Sequence, residues 1–239
     1  MFARAVRKFL PESTHRILLD FCDTRLGRYA TKSYSQEGED MILRRLLEKN
    51  KNGFYVDVGA HHPQRFSNTY YFYKKGWRGI NLDAMPGSMK HFEKIRKKDI
   101  NLEIPVSKSG NAQTYFMFNE PALNGFSMRL SESRDGNRNY RIIDKKEIKT
   151  YTLEDILDTY LPDSQEIDFL SVDVEGLDLD VLESNNWEKY RPRFVVVEIL
   201  HDSLEEVISS EIYRFLSEAG YMAYSKTVNT VIFKRVRQL

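Results

Sequence analysis

Acidic side chains close several of the apolar runs in this sequence, at Asp57, Asp83, Asp173 and Glu198, and His201 follows the last of them. Carboxylates in such positions can accept hydrogen bonds from hydroxyl groups or take a proton from one. The densest arrangement lies between Phe54 and Pro86. There an apolar run from Phe54 to Val58 leads to a small-residue turn at Gly59-Ala60, a helix capped by Ser67-Asn68-Thr69, and a second run, Ile80 to Leu82, closed by Asp83. Glycine in the turn lets a ligand approach the backbone. An acidic residue closing the second strand, about 20 residues past such a turn, is where nucleotide-binding folds hold the two hydroxyls of a ribose. The spacing therefore points to a cofactor that carries adenosine.

The glycine pattern narrows the choice of cofactor. A dinucleotide site needs G-x-G-x-x-G, so that a pyrophosphate can sit against a helix amino terminus. Here Gly59 is followed by Ala60, His61, His62 and Pro63. That disfavours NAD and FAD and leaves room for S-adenosyl-L-methionine, a nucleoside cofactor without phosphate. Gly59 and Ala60 are the expected points of close backbone approach, Asp83 the ribose ligand, and Ser107, at the end of the third strand, the contact to the adenine edge. Asp57 either holds the glycine loop or meets the ammonium of the methionine moiety. At least one of His61 and His62 is expected to be structural, because adjacent residues do not easily enter one small site.

These residues need a scaffold that brings strand ends together, and the hydrophobic periodicity supplies one. Ser35 to Asp40 begins a helix, with Ser35 as cap and Met41, Ile42, Leu46 and Leu47 toward the core. Further along come a helix over Met89 to Lys97, a strand over Asn101 to Val106, a strand-like segment over Gln113 to Phe118 and a polar, basic excursion from Asn119 to Lys145. Regular order resumes with a short helix after Thr152, a strand from Ile167 to Val174, a helix from Leu179 to Ser184 and a strand from Phe194 to Leu200. A helix from His201 to Gly220 and a hairpin of Tyr221 to Ser225 with Thr230 to Arg235 end the chain. The alternation predicts an α/β fold with a mostly parallel seven-stranded sheet whose last strand inserts antiparallel. Residues 33–239 form this domain, and residues 1–32 read as a basic helical appendage packing on it or on a second copy, which would make a homo-oligomer.

The bulk numbers set limits. A chain of 239 residues suits one sizeable α/β domain. With 36 basic against 35 acidic residues there is no global field that would attract nucleic acid. The single cysteine, Cys22, excludes an internal disulfide and fits a reducing compartment. No apolar stretch approaches the ~18 residues of a membrane span, and Arg4, Arg7 and Lys8 interrupt the start too often for a secretory signal. A cytoplasmic setting is the expectation.

Several separated segments match one family in order: Tyr34-Ser35-Gln36-Glu37-Gly38-Glu39-Asp40, Val56-Asp57-Val58-Gly59-Ala60, Leu82-Asp83-Ala84, Tyr151 to Leu157, Ile167 to Gly176, and Arg191-Pro192-Arg193-Phe194 to Glu198. Through them the chain resembles the FkbM-type S-adenosylmethionine-dependent methyltransferases. The resemblance spans residues 33 to 235. It implies a class I, Rossmann-like methyltransferase fold and O-methyl transfer, commonly to sugar hydroxyls in polyketides, glycolipids or surface polysaccharides. Two departures stand out: His61-His62-Pro63 replaces the Asn or Asp followed by glycine of many relatives, and Asp83 stands where Glu is frequent.

A sugar hydroxyl is a very weak acid, so its methylation calls for a general base or a metal ion. Asp173, Glu198 and His201 are the catalytic candidates, since the fourth and fifth strands should be neighbours. Their spacing is not a closed ligand motif, so Mg²⁺ or Mn²⁺ is admitted without being required. Phe116, Phe118, Tyr140 and Tyr151 offer a sugar platform, while Arg129, Arg134, Arg138 and Arg141 offer contacts to a diphosphate. The expected partner is thus a small-molecule or glycan acceptor, with a nucleotide-diphosphate sugar among the options. Two rival functions are an NAD-dependent sugar oxidoreductase or epimerase, disfavoured by the missing glycines and the missing Tyr-x-x-x-Lys pair, and a non-catalytic cofactor-binding scaffold.

Overall fold

The middle of the chain is rich in strands that are apolar on both sides, as a sheet covered on both faces requires. The computed structural model describes residues 11, 14, 30–200 and 203–236. The chain divides into two compact units, Met1–Ser33 and Tyr34–Leu239, and the strands and helices described lie in the second. The amino-terminal appendage and the self-association assigned to it fall almost wholly outside the described residues, as does His201.

The strands are β1 (Phe54–Val58), β2 (Arg78–Leu82), β3 (Ile100–Leu102), β4 (Ala112–Phe118), β5 (Ile142–Lys149), β6 (Phe169–Val172), β7 (Phe194–Glu198), β8 (Tyr221–Lys226) and β9 (Thr230–Arg235). The helices are α1 (Glu39–Leu46), α2 (Tyr70–Lys74), α3 (Met89–Ile95), α4 (Met128–Arg134), α5 (Leu153–Tyr160), α6 (Asp178–Glu183), α7 (Leu204–Ser209) and α8 (Glu211–Glu218). One seven-stranded sheet has the order β3-β2-β1-β6-β7-β9-β8. β1, β2, β3, β6 and β7 pair in parallel, and β9 runs antiparallel between β7 and β8. This is the class I methyltransferase sheet that the sequence predicts, with the chain's last strand as the antiparallel one.

Side-chain alternation sorts each central strand into two layers. Val56 and Val58, Leu170 and Val172, and Val195 and Val197 pack on one side with Leu153, Ile156, Leu157 and Leu216. Tyr55, Phe169, Phe194 and Val196 pack on the other with Leu43, Leu47, Phe72 and Trp77. Burying each such side chain fully is worth roughly 1.5–3 kcal/mol, so the sheet is the rigid part of the molecule. From β1 the chain moves outward to β2 and β3 on one side, while β6 and β7 lie on the other. The carboxyl ends of β1 and β6 flank the point where the order reverses, which is where a crevice opens in such sheets.

Several boundaries differ from the sequence reading, each for a local reason. α1 starts at Glu39, not beside Ser35; the Ser35 hydroxyl instead accepts the Asp40 N–H (3.2 Å) from a distance of a turn. Glu39, Asp40 and Leu43 are its buried residues, with Leu47 buried at its C-cap, whereas Met41 is exposed. The helix expected from His201 to Gly220 is two helices, because Ser210 is extended (φ −68°, ψ 152°) and its hydroxyl caps α8 at Tyr213 N–H. The excursion from Asn119 to Lys145 is folded: a 3₁₀ turn at Pro121–Leu123, α4, and β5, which pairs with β4 in a separate two-stranded sheet. β5 escaped notice because Asp144 to Glu147 is charged throughout and exposed, so no alternation marks it.

Candidate functional site

Where β1 ends, the backbone of Gly59 adopts φ 83°, and a β-carbon there would lie 1.8 Å from the Asp173 carbonyl oxygen at the end of β6. Glycine is required because two strand ends converge on each other. The N–H groups of Gly59 and Ala60 both donate to the Leu82 carbonyl (2.9 Å each), tying the turn to the end of β2. Asp57 is buried and accepts from the Thr69 hydroxyl (2.8 Å) just ahead of α2. Burial raises its pKa, and the bond from Thr69 opposes that rise. Its carboxylate does not line the cleft; of the two roles expected for it, holding the loop is the one its bonds serve.

The cleft above these strand ends is lined by Val58, Gly59 and His61 from the first turn, by Leu82 to Met85, by Ile104 to Val106, and by Asp173 to Glu175. Asp83 is buried in its wall and already accepts two backbone N–H bonds, from His61 to Oδ2 (2.8 Å) and from Met85 to Oδ1 (2.7 Å). Burial raises the Asp83 pKa, while these two N–H groups stabilise its anion. Each oxygen keeps acceptor capacity toward the cleft. Ser107 is placed differently from the expectation: it is fully buried, bonded to the Thr150 hydroxyl (2.6 Å) and to Gln113 (3.0 Å), and turned away from the cleft. The strand stops at Leu102 and Val106 bridges to Tyr151, so the side chains that face the cleft there are Ile104, Pro105 and Val106.

Acidic groups gather on the opposite wall. Val172 and Val197 are register partners, so Asp173 and Glu198, the next residues along, stand side by side at the ends of β6 and β7. Asp173 opens onto the cleft and is exposed there; the surrounding protein, then the charges of Glu198, Asp178 and Glu175, raise its carboxyl pKa. Glu198 faces a second depression beside Arg129, Asp178 and Ser210. Burial, followed by Asp178 and Glu175, raises its pKa to about 8. Asp178 organises the intervening loop by accepting from the N–H groups of Val174 and Gly176 (3.2 Å each), and burial raises it to about 7. Glu175, in the left-handed region at φ 58°, pairs with Arg134 of α4 at 2.7 Å.

The folded excursion supplies a wall that sequence reasoning missed. Pro121, Ala122, Asn124, Gly125 and Phe126 line the cleft, with Tyr115 of β4 tilted against Phe126 (ring centroids 4.8 Å, interplanar angle 52°). Of the aromatics proposed as a platform, Phe116 and Phe118 are buried core residues instead; the alternation along β4 gives the cleft Tyr115. Gln36, in the matched segment ahead of α1, also lines it. Beneath the glycine turn lies an unanticipated polar core. Arg96, wholly buried at the end of α3, pairs with Asp99 (2.8 Å) and donates to Tyr55 Oη (2.7 Å), Thr69 Oγ1 (3.1 Å) and Asn81 Oδ1 (3.1 Å). An arginine after a helical run reads as a solvated end in sequence, so only its burial reveals it.

The cleft fits a nucleoside sulfonium better than a dinucleotide. Among the described residues lining it there is no Arg or Lys to meet a pyrophosphate, while Asp83, Asp173 and Glu175 suit hydroxyls and positive charge. α2 has five residues and starts at Tyr70, well past Gly59, so the helix that follows the turn does not begin at it. No group of three His, Cys, Asp or Glu side chains among the described residues converges to hold a metal ion. No helix among them is long and apolar enough to cross a membrane.

Comparison with known proteins adds the family. Residues 57–222, more than half of the chain, match the methyltransferase FkbM domain. No curated protein matches by sequence. Among solved structures, a TehB-like SAM-dependent methyltransferase from Corynebacterium glutamicum superposes with a TM-score of 0.42 at 8% identity, covering 94% of this chain and 100% of that one. A precorrin-6y C5,15-methyltransferase from Geobacter metallireducens gives 0.41 at 12% identity, covering 85% and 90%. Both likenesses are distant.

Proposed function

The chain belongs to the methyltransferase FkbM family, a family of S-adenosylmethionine-dependent methyltransferases, and from that premise we propose that it is an O-methyltransferase acting on a carbohydrate hydroxyl. The observation that carries the reading is the placement of Asp83 and Asp173 in one cleft, with Glu198 beside Asp173 at the neighbouring strand end. Bound in the cleft, S-adenosylmethionine would supply a methyl group on a sulfonium leaving group. In this reading Asp83 accepts from the ribose hydroxyls, and Ile104, Val106 and Met85 cover the adenine in place of Ser107. Gly59 and Ala60 hold the turn close. The carboxyl groups of the wall accept from the ammonium and, when ionised, favour the cationic sulfonium.

A hydroxyl must lose its proton as it attacks, and a carboxylate of ordinary pKa is a poor base for it. The raised pKa values of Asp173 and Glu198 bring them closer to neutrality, which makes either a better proton acceptor. Asp173 is the residue that faces the cleft, so we assign it the proton; Glu198, at the neighbouring strand end, raises its basicity once Glu198 is ionised. His201, which follows Glu198 in sequence, belongs to the same proposal. The carbohydrate, with a nucleotide-linked sugar or a surface glycan as its form, and the cytoplasmic setting are carried by the family resemblance alone.

Transfer of label from S-adenosylmethionine to a panel of sugars, nucleotide sugars and glycans tests the reading, with and without EDTA and with added Mg²⁺ or Mn²⁺. Label on a sugar hydroxyl supports it. Label on nitrogen or carbon acceptors alone would refute it, and loss of transfer in EDTA restored by the ion would assign the activation to a metal.

A further inference from the structure

Between Ala60 and Ser67 the backbone enters the left-handed region at two residues that are not glycine, His61 (φ 49°) and Phe66 (φ 56°). Both line the cleft. Such a segment persists only when surrounding bonds over-determine it, and Pro63 in its middle has no N–H to contribute. One side chain supplies the inner bonds: His62 Nδ1 accepts from the backbone N–H of Gln64 (3.1 Å) and of Arg65 (2.9 Å). From outside, Arg96 donates to the Pro63 carbonyl (3.4 Å), and the Asp83 carboxylate takes the His61 N–H.

An Nδ1 that accepts carries no proton, so the ring is neutral with its hydrogen on Nε2. Every titratable group facing it is basic. His91 of α3 meets it edge-on (ring centroids 4.9 Å), His61 lies at 6.5 Å, and Arg65 is the third. Burial first, then these three neighbours, holds the imidazole below its ordinary range. His62 itself does not line the cleft, so whatever it does to a ligand passes through the loop it shapes.

We propose that His62 is a positioning residue of the cofactor cleft: its neutral Nδ1 holds the wall formed by residues 61–66, and protonation of that nitrogen releases the wall and weakens cofactor binding. The inference rests on the reading of the cleft as the S-adenosylmethionine site. It gives a purpose to the His-His-Pro segment that departs from the glycine pattern of many relatives.

The test compares wild type, His62→Asn and His62→Leu. Asparagine places Oδ1 where histidine has Nδ1 and does not titrate, whereas leucine has no acceptor. S-Adenosylhomocysteine is titrated calorimetrically in steps from about pH 8 to about pH 4.5, so that the series passes below the ordinary imidazole range. Hydrogen exchange of the Gln64 and Arg65 amides is followed in the ligand-free proteins. At the higher pH, wild type and His62→Asn should bind alike and protect both amides, while His62→Leu binds about tenfold more weakly and exchanges faster. On acidification wild type should lose more affinity than His62→Asn, because any protonation of Asp83 or Asp173 acts on both. Parallel acid profiles in wild type and His62→Asn would overturn the proposal, as would unchanged exchange of the two amides in His62→Leu. Should His62→Leu not fold, the asparagine comparison decides alone. Absence of binding by folded wild type at the higher pH is a different result, which removes the cofactor reading of the cleft and this inference with it.

Discussion

Replacing Asp83 by alanine separates what this carboxylate does for the protein from what it is proposed to do for the cofactor. In the ligand-free protein it satisfies the N–H groups of His61 and Met85 at 2.8 and 2.7 Å within a buried wall. Leaving a buried donor unpaired costs about 1–3 kcal/mol. With two donors involved, and local relaxation letting water reach part of the site, we expect a loss of about 2–4 kcal/mol in stability, a fall of several degrees in Tm for a chain of this size. A separate effect appears on binding. Hydrogen bonds from ribose hydroxyls to a charged acceptor are worth about 1.5–3 kcal/mol, which predicts a ten- to hundredfold rise in the Kd for S-adenosylhomocysteine. Thermal melts without ligand and calorimetric titration at a temperature where the variant is folded measure the two independently. Asp83→Asn keeps one acceptor oxygen, so it should recover part of the stability but little of the binding. A folded Asp83→Ala protein with unchanged affinity would move the ribose elsewhere. An unchanged Tm would refute the role given to its two backbone bonds.

Other outcomes follow from the same geometry. Gly59→Ala places a β-carbon 1.8 Å from the Asp173 carbonyl on a backbone at φ 83°; it should cost about 3 kcal/mol or more, read as loss of soluble protein or a large fall in Tm. Arg96→Met strands Asp99 without its partner in a fully buried site, and denaturant melts should show a loss of about 3–5 kcal/mol. Glu198→Gln tests the pH linkage. With a folded pKa of about 8, native Glu198 still holds a proton that the unfolded chain has released, so wild-type stability should decline as pH rises from the ordinary carboxylate range through that value. The variant should show a shallower slope, Asp173 and Asp178 keeping theirs, together with loss of part of its turnover; parallel slopes in urea melts would refute the assignment. Arg134→Ala breaks a partly buried pair with Glu175, each side chain 23% exposed; stability should fall by about 1 kcal/mol, while the acceptor KM rises and S-adenosylhomocysteine affinity holds. A rise in cofactor Kd equal to the rise in KM would show that the pair shapes the cofactor wall instead.

The sequence by itself determined the sheet. Burial on both faces of β1, β6 and β7 is written in continuous apolar runs such as Phe54 to Val58 and Phe194 to Val197, and that pattern, with a closing hairpin, predicts the parallel core and its antiparallel last strand. It also located Asp83 and Asp173, because residues that end parallel strands must lie at the crevice whatever their loops do. What happens one step away from a strand end was decided by tertiary structure. Ser107 follows Val106 closely, yet the bridge from Val106 to Tyr151 turns it toward Thr150 and away from the cleft. Phe116 and Tyr115 are adjacent, and only the pairing of β4 with β5 tells which side of the strand meets the ligand wall. Arg96 looks like a surface residue until five polar partners converge on it, nearby Asp99 and four from distant segments. Local propensity fixes elements whose hydrophobic signal is strong, whereas the direction of a polar side chain depends on partners far along the chain, and those partners exist only once the chain has folded.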